Sequence, residues 1–357
     1  MGSVDSVAAL SHRTDALTVR ALEAGDHPRW TQFVNSCPDA TFFHRIEWKG
    51  ILESVFGHRT HYLLAERSGT IVGVLPLAEV KSLLFGHALT SLPFCVSGGV
   101  LAMEAEAVRV LHRAAGELAR SLGVSHLELR NRELREPEWP RQDLYVTFRK
   151  RIDPDPEANL AALPRKQRAM VRKGMKSGLS ADVDADVDRF FGLYADNVRR
   201  HGTPALPKRY FAALKSTFGP DCEVLTVSDT TGRVLSSVLT FYFRNEVLPY
   251  YAGDHPAARE LAANDFKYWE LMRRGAERGF QIFDYGRSKR DTGSFDFKRH
   301  WGFEPTPLSY EYRLFRGDTI PQNNPLNPKY RAFIALWRRL PLAVTNALGP
   351  YIVRNLG

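Results

Sequence analysis

The sequence predicts an α/β or α+β protein built from two similar halves, each a mixed β-sheet flanked by helices. Three features recur in the same order: a β-hairpin, a helix that ends at a glycine and leads into a strand, and a closing strand. The hairpin glycines are Gly69 and Gly232, and the helix-ending glycines are Gly123 and Gly279. Because the two pairs have nearly equal spacing, internal duplication is favoured over a chance succession of common units.

The first half is predicted to span residues 17–152, behind a flexible N-terminus at 1–16. Two strand-like runs meet at a Ser-Gly turn in HYLLAERSGTIVGVLPLAEV. Apolar side chains then recur at helical spacing over 104–122, and the alternating segment SHLELRN follows as a strand. The segment LYVTFRKRI at 144–152 is expected to close this half as a further strand.

Residues 153–188 are predicted to form a basic helical linker. An Asp-Pro-Asp-Pro break opens the segment, and a run of aspartates ends it. On a helix, Arg165, Arg168 and Arg172 would share one face, which suits contact with phosphate groups. A solvated helix whose charges face the neighbouring aspartates explains the same pattern.

The second half, residues 189–316, repeats the plan of the first. Its hairpin lies in CEVLTVSDTTGRVLSSVLTFYF, and its closing strand is SYEYRLF. Between them, a helix beginning near Asn264 leads through a glycine into the strand FQIFDYG. The preceding turn, DHPAARELAAND, could present an anion to the free N–H groups of this helix, but an ordinary loop capped by Asn264 fits equally well.

Composition limits the classes of function. Lysine and arginine number 49 against 40 acidic residues, and this net charge of +9 favours polyanionic partners such as nucleic acid, phosphorylated substrates or an acidic membrane. The three cysteines are far apart and are expected to be buried apolar residues. Neither a signal peptide nor a spanning apolar run is evident, so a cytoplasmic protein is expected. The tail at 317–357 is basic and amphipathic, which fits either packing on the second half or peripheral attachment to a membrane.

The stretch QIFDYGRSKRDTGSFDFKRHWGF contains the strongest candidate site. An apolar strand ends in Asp284, Gly286 and Arg287, and Lys298 follows in a short aromatic helix. A lysine among aromatic rings is partly desolvated, so its charge would act strongly on a nearby oxyanion, and Asp284 could orient it, neutralise it or accept a proton. A structural ion pair explains the same residues. No nucleophile elbow, P-loop or zinc-protease motif occurs, and metal catalysis is not expected.

The segments YYAG, AANDFKYWELMRRGAERGFQIFDYGRS and FDFKRHWGF together resemble the Fem-type (FemAB-like) branch of the GNAT acyltransferase superfamily, in particular the Fem-like proteins associated with exosortase and exopolysaccharide systems. The resemblance covers residues 17–315 and is strongest at 250–304, and LPRKQRAMVRKGMKSGL is similar to the helix between the two repeats of that family. The resemblance implies tandem GNAT-like domains without a tightly bound cofactor. It also implies an amide-forming reaction, in which an amine attacks an activated acyl carbonyl.

The resemblance further implies roles for individual residues. Lys298 matches the lysine that is thought to stabilise the developing negative charge, and Asp284 would flank the reacting carbonyl with it. Tyr251, or its neighbour, matches a tyrosine that contacts the substrate. The residues expected to bind substrate are Tyr250, Asn264, Arg287, Arg165, Arg168 and Arg172.

Three functional hypotheses follow. The first is a Fem-like acyl or aminoacyl transferase that acts on a cell-envelope or exopolysaccharide-related amine, with aminoacyl-tRNA as co-substrate. The second is an N-acyltransferase that uses acyl-CoA or an acyl carrier, and the third is a catalytically idle GNAT fold that binds RNA or serves as a scaffold. The expected partners are accordingly transfer RNA, an envelope or saccharide precursor and, through the tail, the inner face of a membrane. The chain is expected to be a monomer.

Overall fold

The computed structural model describes residues 16–82, 86–321 and 331–356, so the predicted flexible N-terminus lies almost wholly outside the described residues. The strands are β1 (Leu17–Ala21), β2 (Arg59–Thr60), β3 (Leu63–Arg67), β4 (Thr70–Leu75), β5 (Ala78–Ser82), β6 (Gly86–Thr90), β7 (Leu101–Ala102), β8 (His126–Asn131), β9 (Arg141–Gln142), β10 (Tyr145–Arg151), β11 (Ser180–Val183), β12 (Cys222–Ser228), β13 (Val234–Phe243), β14 (Glu246–Asp254), β15 (Ile282–Lys289), β16 (Pro305–Pro307) and β17 (Ser309–Leu314). The α-helices are α1 (His27–Ser36), α2 (Glu47–Ile51), α3 (Ala105–Leu122), α4 (Pro156–Ala162), α5 (Arg165–Lys176), α6 (Asp188–Arg200), α7 (Lys208–Phe218), α8 (Ala263–Glu277), α9 (Gly293–His300), α10 (Arg331–Arg339) and α11 (Leu342–Val353).

The described strands form three mixed or antiparallel sheets, which confirms the predicted fold class. The first half contributes a four-stranded sheet of order β1-β3-β4-β7 and most of a six-stranded sheet of order β2-β5-β6-β8-β17-β9. The second half contributes most of a seven-stranded sheet of order β11-β12-β13-β14-β15-β10-β16. Each half therefore combines sheets with helices, as the repeated sequence pattern predicts.

Among the described strands, each half contains one parallel pair at the corresponding position. In the first half β6 runs parallel to β8, and in the second half β14 runs parallel to β15. The β14 and β15 ladder consists of only two residue pairs, Glu246 with Ile282 and Val247 with Phe283. Beyond these pairs no ladder joins the two strands, which leaves an opening between them in the sheet.

The closing strands are exchanged between the halves. Strand β10 was expected to close the first half, but it pairs antiparallel with β15 in the sheet of the second half. Strand β17 was expected to close the second half, but it pairs antiparallel with β8 in the sheet of the first half. The expectation was wrong because strand pairing is decided by partners that are distant in sequence, and alternation within a strand does not reveal them.

The two halves also share a hydrophobic core. Phe42 of the first half stacks on Phe241 of the second half, with ring centroids 4.3 Å apart. The guanidinium of Arg244, in the β13–β14 turn, donates hydrogen bonds to the carbonyl oxygens of Val34 at 2.7 Å and Cys37 at 2.8 Å. These carbonyls lie at the C-terminal end of α1 and would otherwise lack a partner. The halves therefore form one packed unit.

The glycine positions behave as predicted. Gly123 follows α3 and Gly279 follows α8, and both have a positive φ, 65° and 83°, which is the left-handed conformation that commonly ends a helix. Ser68 and Gly69 both have positive φ in the β3–β4 turn, as a tight hairpin requires. The three cysteines are buried and unpaired, which confirms their predicted packing role.

The linker and the tail both pack against the second half. Helix α5 contacts α8, where a Cβ on Gly174 would lie only 2.7 Å from the Cβ of Phe266. The end of the linker, β11, joins the seven-stranded sheet beside β12. In the tail, α10 and α11 contact α6, and Arg199 donates a hydrogen bond to the carbonyl of Arg338 at 2.9 Å.

Candidate active site

A cleft of about 610 Å³ opens between the two halves. Its walls come from the end of β8, from β10, from the β13–β14 turn and from two loops of the first half. The lining contains seven basic residues and three acidic ones, so the cleft has a positive charge that suits a ligand with phosphate or carboxylate groups. The basic residues are Arg130, Arg132, Arg135, Arg149, Lys150, Arg151 and Arg244.

Two buried carboxylates contact the arginines of this cleft. Glu246, at the start of β14, forms an ion pair with Arg149, and one of its oxygens lies 3.6 Å from Arg132. Asp284, on β15, has an oxygen 3.8 Å from the same Arg132 and 4.0 Å from Arg149. The side chains of Arg132 and Arg149 keep about a third of their surface exposed, so they remain accessible to a ligand in the cleft.

Asp284 lies where the register of the β10 and β15 pair shifts. Two residues of β15, Tyr285 and Gly286, stand opposite the single residue Phe148 of β10, which defines a β-bulge. The carboxylate of Asp284 accepts hydrogen bonds from the Gly286 N–H at 2.8 Å and from Thr147 Oγ1 at 3.1 Å. Gly286 has φ 64°, a conformation that favours glycine. The bulge thus fixes the direction of the Asp284 side chain.

Lys298 holds the other side of this bulge. It lies on α9 and is only 7% exposed, and its Nζ donates hydrogen bonds to the carbonyl oxygens of Tyr285 at 2.7 Å, Gly286 at 2.9 Å and Arg287 at 3.1 Å. A lysine ammonium has three donors, and all three are occupied. The pKa of Lys298 is lowered to about 7, chiefly because the side chain is buried; the charge of Asp284 opposes this shift and that of Arg287 adds to it.

Arg287 points into a group of tyrosine rings. Its guanidinium lies 4.5 Å from the Tyr145 ring centroid and donates a hydrogen bond to the Tyr310 hydroxyl at 3.2 Å. Within the described parts of the chain it forms no ion pair with a carboxylate. It also lines a small cavity of about 140 Å³, whose lining includes Asn355 and Leu356 of the tail.

The two predicted tyrosines lie between the halves. The Tyr250 hydroxyl donates to the carbonyl of Phe94 at 2.9 Å, and the Tyr251 hydroxyl is hydrogen-bonded to the Tyr210 hydroxyl at 3.1 Å. Burial raises the pKa of both tyrosines well above the usual value, while the nearby Arg287 opposes the shift at Tyr250. Tyr250 therefore belongs to the same neighbourhood as Arg287.

Asn264 lies at a different place, the start of α8. The expectation that Asn264 caps this helix was wrong: the cap position is Ala262, which has φ 54°, and Asn264 is already within the helix. The carbonyl oxygen of the Asn264 side chain is buried and has no hydrogen-bond partner among the described residues. Its neighbour Asp265 accepts a hydrogen bond from Gln167 of α5, and this bond ties α5 to the helix N-terminus.

The predicted basic face of α5 is present. Arg165, Arg168 and Arg172 line one shallow surface together with Lys173 and Lys176. Across the described ranges, none of these five cations forms an ion pair, so the aspartates that follow in the sequence do not neutralise them. The buried face of the same helix, which includes Val171 and Gly174, packs on α8.

The structure thus divides the predicted residues into two groups. Asp284, Arg287 and Lys298 meet at one bulge with Tyr250 nearby, whereas Asn264 and the arginines of α5 lie around the start of α8. Sequence reasoning missed the cleft arginines and Glu246. The basic strand ends in LELRNRELR and TFRKR carried a signal, since charged side chains at strand ends often mark sites. In the part of the chain that is described, no group of three or more potential metal ligands is found.

Comparison with protein families gives a match over residues 165–299 to the model described as "Acetyltransferase (GNAT) domain". This range contains α5, the opening between β14 and β15, and Lys298. No curated protein matches the chain.

Solved structures match over most of the chain. "Crystal structure of FemX" covers 89% of this chain and 100% of that one, with 15% identity and a TM-score of 0.63. A tandem GNAT protein from the clavulanic acid biosynthesis pathway covers 85% and 100%, with 15% identity and a TM-score of 0.53. The L-PGS of Bacillus licheniformis covers 95% and 98%, with 12% identity and a TM-score of 0.56. At these identities the structural matches establish the shared tandem fold alone. The domain match shows that the chain carries a GNAT acetyltransferase domain and is an acyltransferase, and the structural matches show that its fold is a tandem GNAT-like fold.

Proposed function

We propose that this acyltransferase forms an amide bond between an activated acyl or aminoacyl group and an amine acceptor that carries phosphate groups, as nucleotide- or lipid-linked envelope and saccharide precursors do. The observation that carries the proposal is the basic cleft between the halves, whose lining arginines Arg132 and Arg149 lie 3.8 and 4.0 Å from the carboxylate of Asp284. The cleft has more cations than its own carboxylates can neutralise, and it ends beside the bulge of β15. A phosphate-bearing acceptor in the cleft would place its amine close to this bulge.

The reaction joins the acceptor nitrogen to the acyl carbonyl carbon and releases the thiolate or alkoxide of the donor. The amine must lose a proton, and the leaving group must gain one. In our proposal Asp284 receives the amine proton, since it is the carboxylate at the bulge and lies near Arg132 and Arg149 on the cleft side. The acyl chain would enter where β14 and β15 separate, beside Tyr250 and Tyr251.

Lys298 has a positioning role in this proposal. Its three N–H groups are used by the carbonyls of residues 285–287, so the ammonium acts on the reaction through the bulge and not by direct contact. Holding these carbonyls fixes the directions in which Asp284 and Arg287 leave the strand. The positive charge of Lys298 also adds to the field that a developing oxyanion would experience nearby.

Two molecules are candidates for the acyl donor, aminoacyl-tRNA and acyl-CoA. The unpaired cations of α5 favour aminoacyl-tRNA, because an exposed basic face on a fixed helix suits a nucleic acid backbone. The GNAT domain match favours acyl-CoA, the co-substrate of acetyltransferases with this fold. The same cations would also suit RNA binding, as in the third hypothesis, but a protein without turnover conflicts with the acetyltransferase domain match.

A transfer assay with defined donors tests the proposal. Purified full-length protein is incubated with radiolabelled acetyl-CoA or with a radiolabelled aminoacyl-tRNA mixture, and with UDP-linked amino sugars or aminated lipid phosphates as acceptors. We expect label in the acceptor with one donor class, and loss of transfer in an Asp284→Asn variant. Donor consumption without an acceptor is measured in parallel. If neither donor is consumed and the Asp284 variant behaves like the wild type in every assay, the proposal fails.

A further inference from the structure

The outer face of the C-terminal tail is apolar although it is exposed. The exposed residues on α11 include Val344, Leu348 and Tyr351, and Leu336 lies on α10 before them. Tyr351 is 72% exposed and Leu336 is 61% exposed, values unusual for large apolar side chains. Six of the ten large exposed apolar residues in the described structure lie in this tail. We call the set Phe333, Leu336, Val344, Leu348, Tyr351 and Leu356 the tail surface.

The inner face of the same tail is already occupied by protein. Trp337 and Thr345 are buried, and a Cβ on Gly349 would lie 3.0 Å from the carbonyl oxygen of Ala205. The carbonyl of Arg338 is held by Arg199, as described above. A helix that is apolar on both sides is normally surrounded by apolar groups, whereas a surface helix has a polar outer side. The tail surface therefore needs an apolar partner, and the described part of the chain does not supply one.

Charge indicates the chemistry of the partner. Arg331, Arg338, Arg339 and Arg354 lie in or beside the two helices, and the sequence contains no aspartate or glutamate after Asp318. A second copy of the chain would bring like charges together across a symmetric interface. An anionic lipid surface would instead receive the apolar side chains below its headgroups and the guanidinium groups at the headgroup level.

We infer that the tail surface binds the surface of an anionic lipid bilayer, with α11 lying in the plane of the interface. No helix in the described parts of the chain is long and apolar enough to cross a membrane, so the contact would be peripheral. Helix α11 has 12 residues and would extend for about 18 Å along the bilayer. The inference goes beyond the proposed function and does not depend on which donor or acceptor is used.

Vesicle flotation tests the inference without any need for catalytic turnover. The full chain is mixed with vesicles of phosphatidylcholine containing about a third phosphatidylglycerol, and with vesicles of phosphatidylcholine alone. We expect flotation with the anionic vesicles only, and a decrease of about tenfold or more in the bound fraction for a Leu348→Asp, Tyr351→Asp variant. An Arg339→Gln, Arg354→Gln variant should weaken binding to anionic vesicles in the same direction.

Two control measurements keep the test decisive. A Met103→Asp, Leu134→Asp variant changes two exposed apolar residues of the first half and should float like the wild type. The melting temperature of each variant shows whether it is folded. Absence of flotation with anionic vesicles, or equal flotation of the Leu348→Asp, Tyr351→Asp variant, would overturn the inference. A concentration-dependent dimer that this variant disrupts would also overturn it, since the surface would then join two copies of the chain.

Discussion

Lys298 donates a hydrogen bond to the main-chain carbonyl of Tyr285 over 2.7 Å, and this contact connects helix α9 to the bulge of β15. The same ammonium also holds the next two carbonyls, so three consecutive peptide groups depend on one side chain. Asp284 precedes these residues, and its carboxylate lies 3.8 Å from Arg132 of the basic cleft. The lysine and the carboxylate thus act on the same short segment from its two sides.

A Lys298→Met variant should lose both activity and stability. Methionine fills a similar volume but provides no N–H groups, so three carbonyls lose their buried donor, at a cost of about 1–3 kcal/mol for an unsatisfied group. We expect a lower melting temperature and a fall in kcat of about 10²-fold or more, comparable to the loss of one preorganised electrostatic contact. The matched control is Arg299→Met, because Arg299 is the exposed neighbour on the same helix. Wild-type kcat and melting temperature in Lys298→Met would contradict the positioning role.

The transfer rate should depend on the protonation of Lys298. Its pKa of about 7 means that the ammonium loses a proton, and therefore one donor, as the pH rises through neutrality. The profile of kcat/KM should then fall on its alkaline side near this pKa. Because the charge of Asp284 raises the pKa of Lys298, an Asp284→Asn variant should move this limb to lower pH in its residual activity. Asp296 is exposed on α9, and an Asp296→Asn variant should leave the alkaline limb of the profile at the same pH.

The same group should contribute to the pH dependence of stability. In the unfolded chain a lysine has a pKa of about 10.4, so between pH 7 and this value the unfolded state binds the additional proton. Lys298 should therefore increase the free energy of unfolding as the pH rises through this window. This increase should be absent in the Lys298→Met variant. Denaturant titrations at pH 7 and pH 9 measure the difference. An equal change in both proteins would argue against the lowered pKa.

An Arg132→Gln variant should weaken acceptor binding more than it affects the bulge. The guanidinium is 3.6–3.8 Å from Glu246 and Asp284 and remains partly exposed, so the cleft loses a cation that a phosphate can reach. We expect KM for a phosphate-bearing acceptor to rise about tenfold, with a smaller dependence on ionic strength and little change in melting temperature. Arg109→Gln changes an exposed arginine on α3 and serves as the control. An unchanged KM would show that the acceptor does not use this cleft.

A Glu311→Gln variant should weaken the attachment of strand β17 to the first half. Glu311 on β17 is fully buried, and its carboxylate accepts hydrogen bonds from Asn131 Nδ2 at 2.8 Å and from the Arg135 N–H at 2.6 Å. An amide at this position brings one donor against another donor, so we expect a loss of about 1–3 kcal/mol in the free energy of unfolding. Glu304→Gln, at an exposed position nearby, is the control. Calorimetry should show one transition for both proteins, and two separate transitions would contradict the shared fold.

The basic face of α5 should contact transfer RNA if the donor is an aminoacyl-tRNA. An Arg165→Ala, Arg168→Ala, Arg172→Ala variant should weaken binding and reduce the slope of log K against log salt by about 2–3, one unit per lost phosphate contact. Filter binding at several salt concentrations measures this slope. A variant with Arg109, Arg113 and Arg120 of α3 changed to alanine has the same net charge and controls for non-specific attraction. Equal binding by the two variants would exclude α5 as the docking site.

Local features of this fold were predictable because short-range sequence patterns determine them. The hairpin at Ser68 and Gly69, and the ends of α3 and α8 at glycines, follow from residues that lie within one turn of each other. The desolvated Lys298 was also predictable, since aromatic neighbours surround it in sequence. These features depend on glycines at turns and helix ends and on the spacing of apolar residues, and both can be seen in the sequence.

The exchanged strands and the cleft could not be predicted in the same way. The cleft brings together Arg132, which follows β8, Arg149 of β10 and Glu246 of β14, and no local pattern joins them. Asn264 shows a second kind of limit: its side chain suits a helix cap, but the chain reaches the helix through Ala262 in a left-handed conformation. Tertiary packing of α5 on α8 decides that start, and propensity does not.

The exchange of closing strands also sets an order of events during synthesis. Strand β8 is complete at Asn131, but its neighbour β17 begins only at Ser309, roughly 180 residues later, and a ribosome adds about 5–20 residues per second. The six-stranded sheet of the first half must therefore wait about 10–40 s with an open edge at β8. A nascent chain stalled before residue 309 would expose that edge, so the first half becomes protected from proteolysis only when nearly the whole protein has left the ribosome.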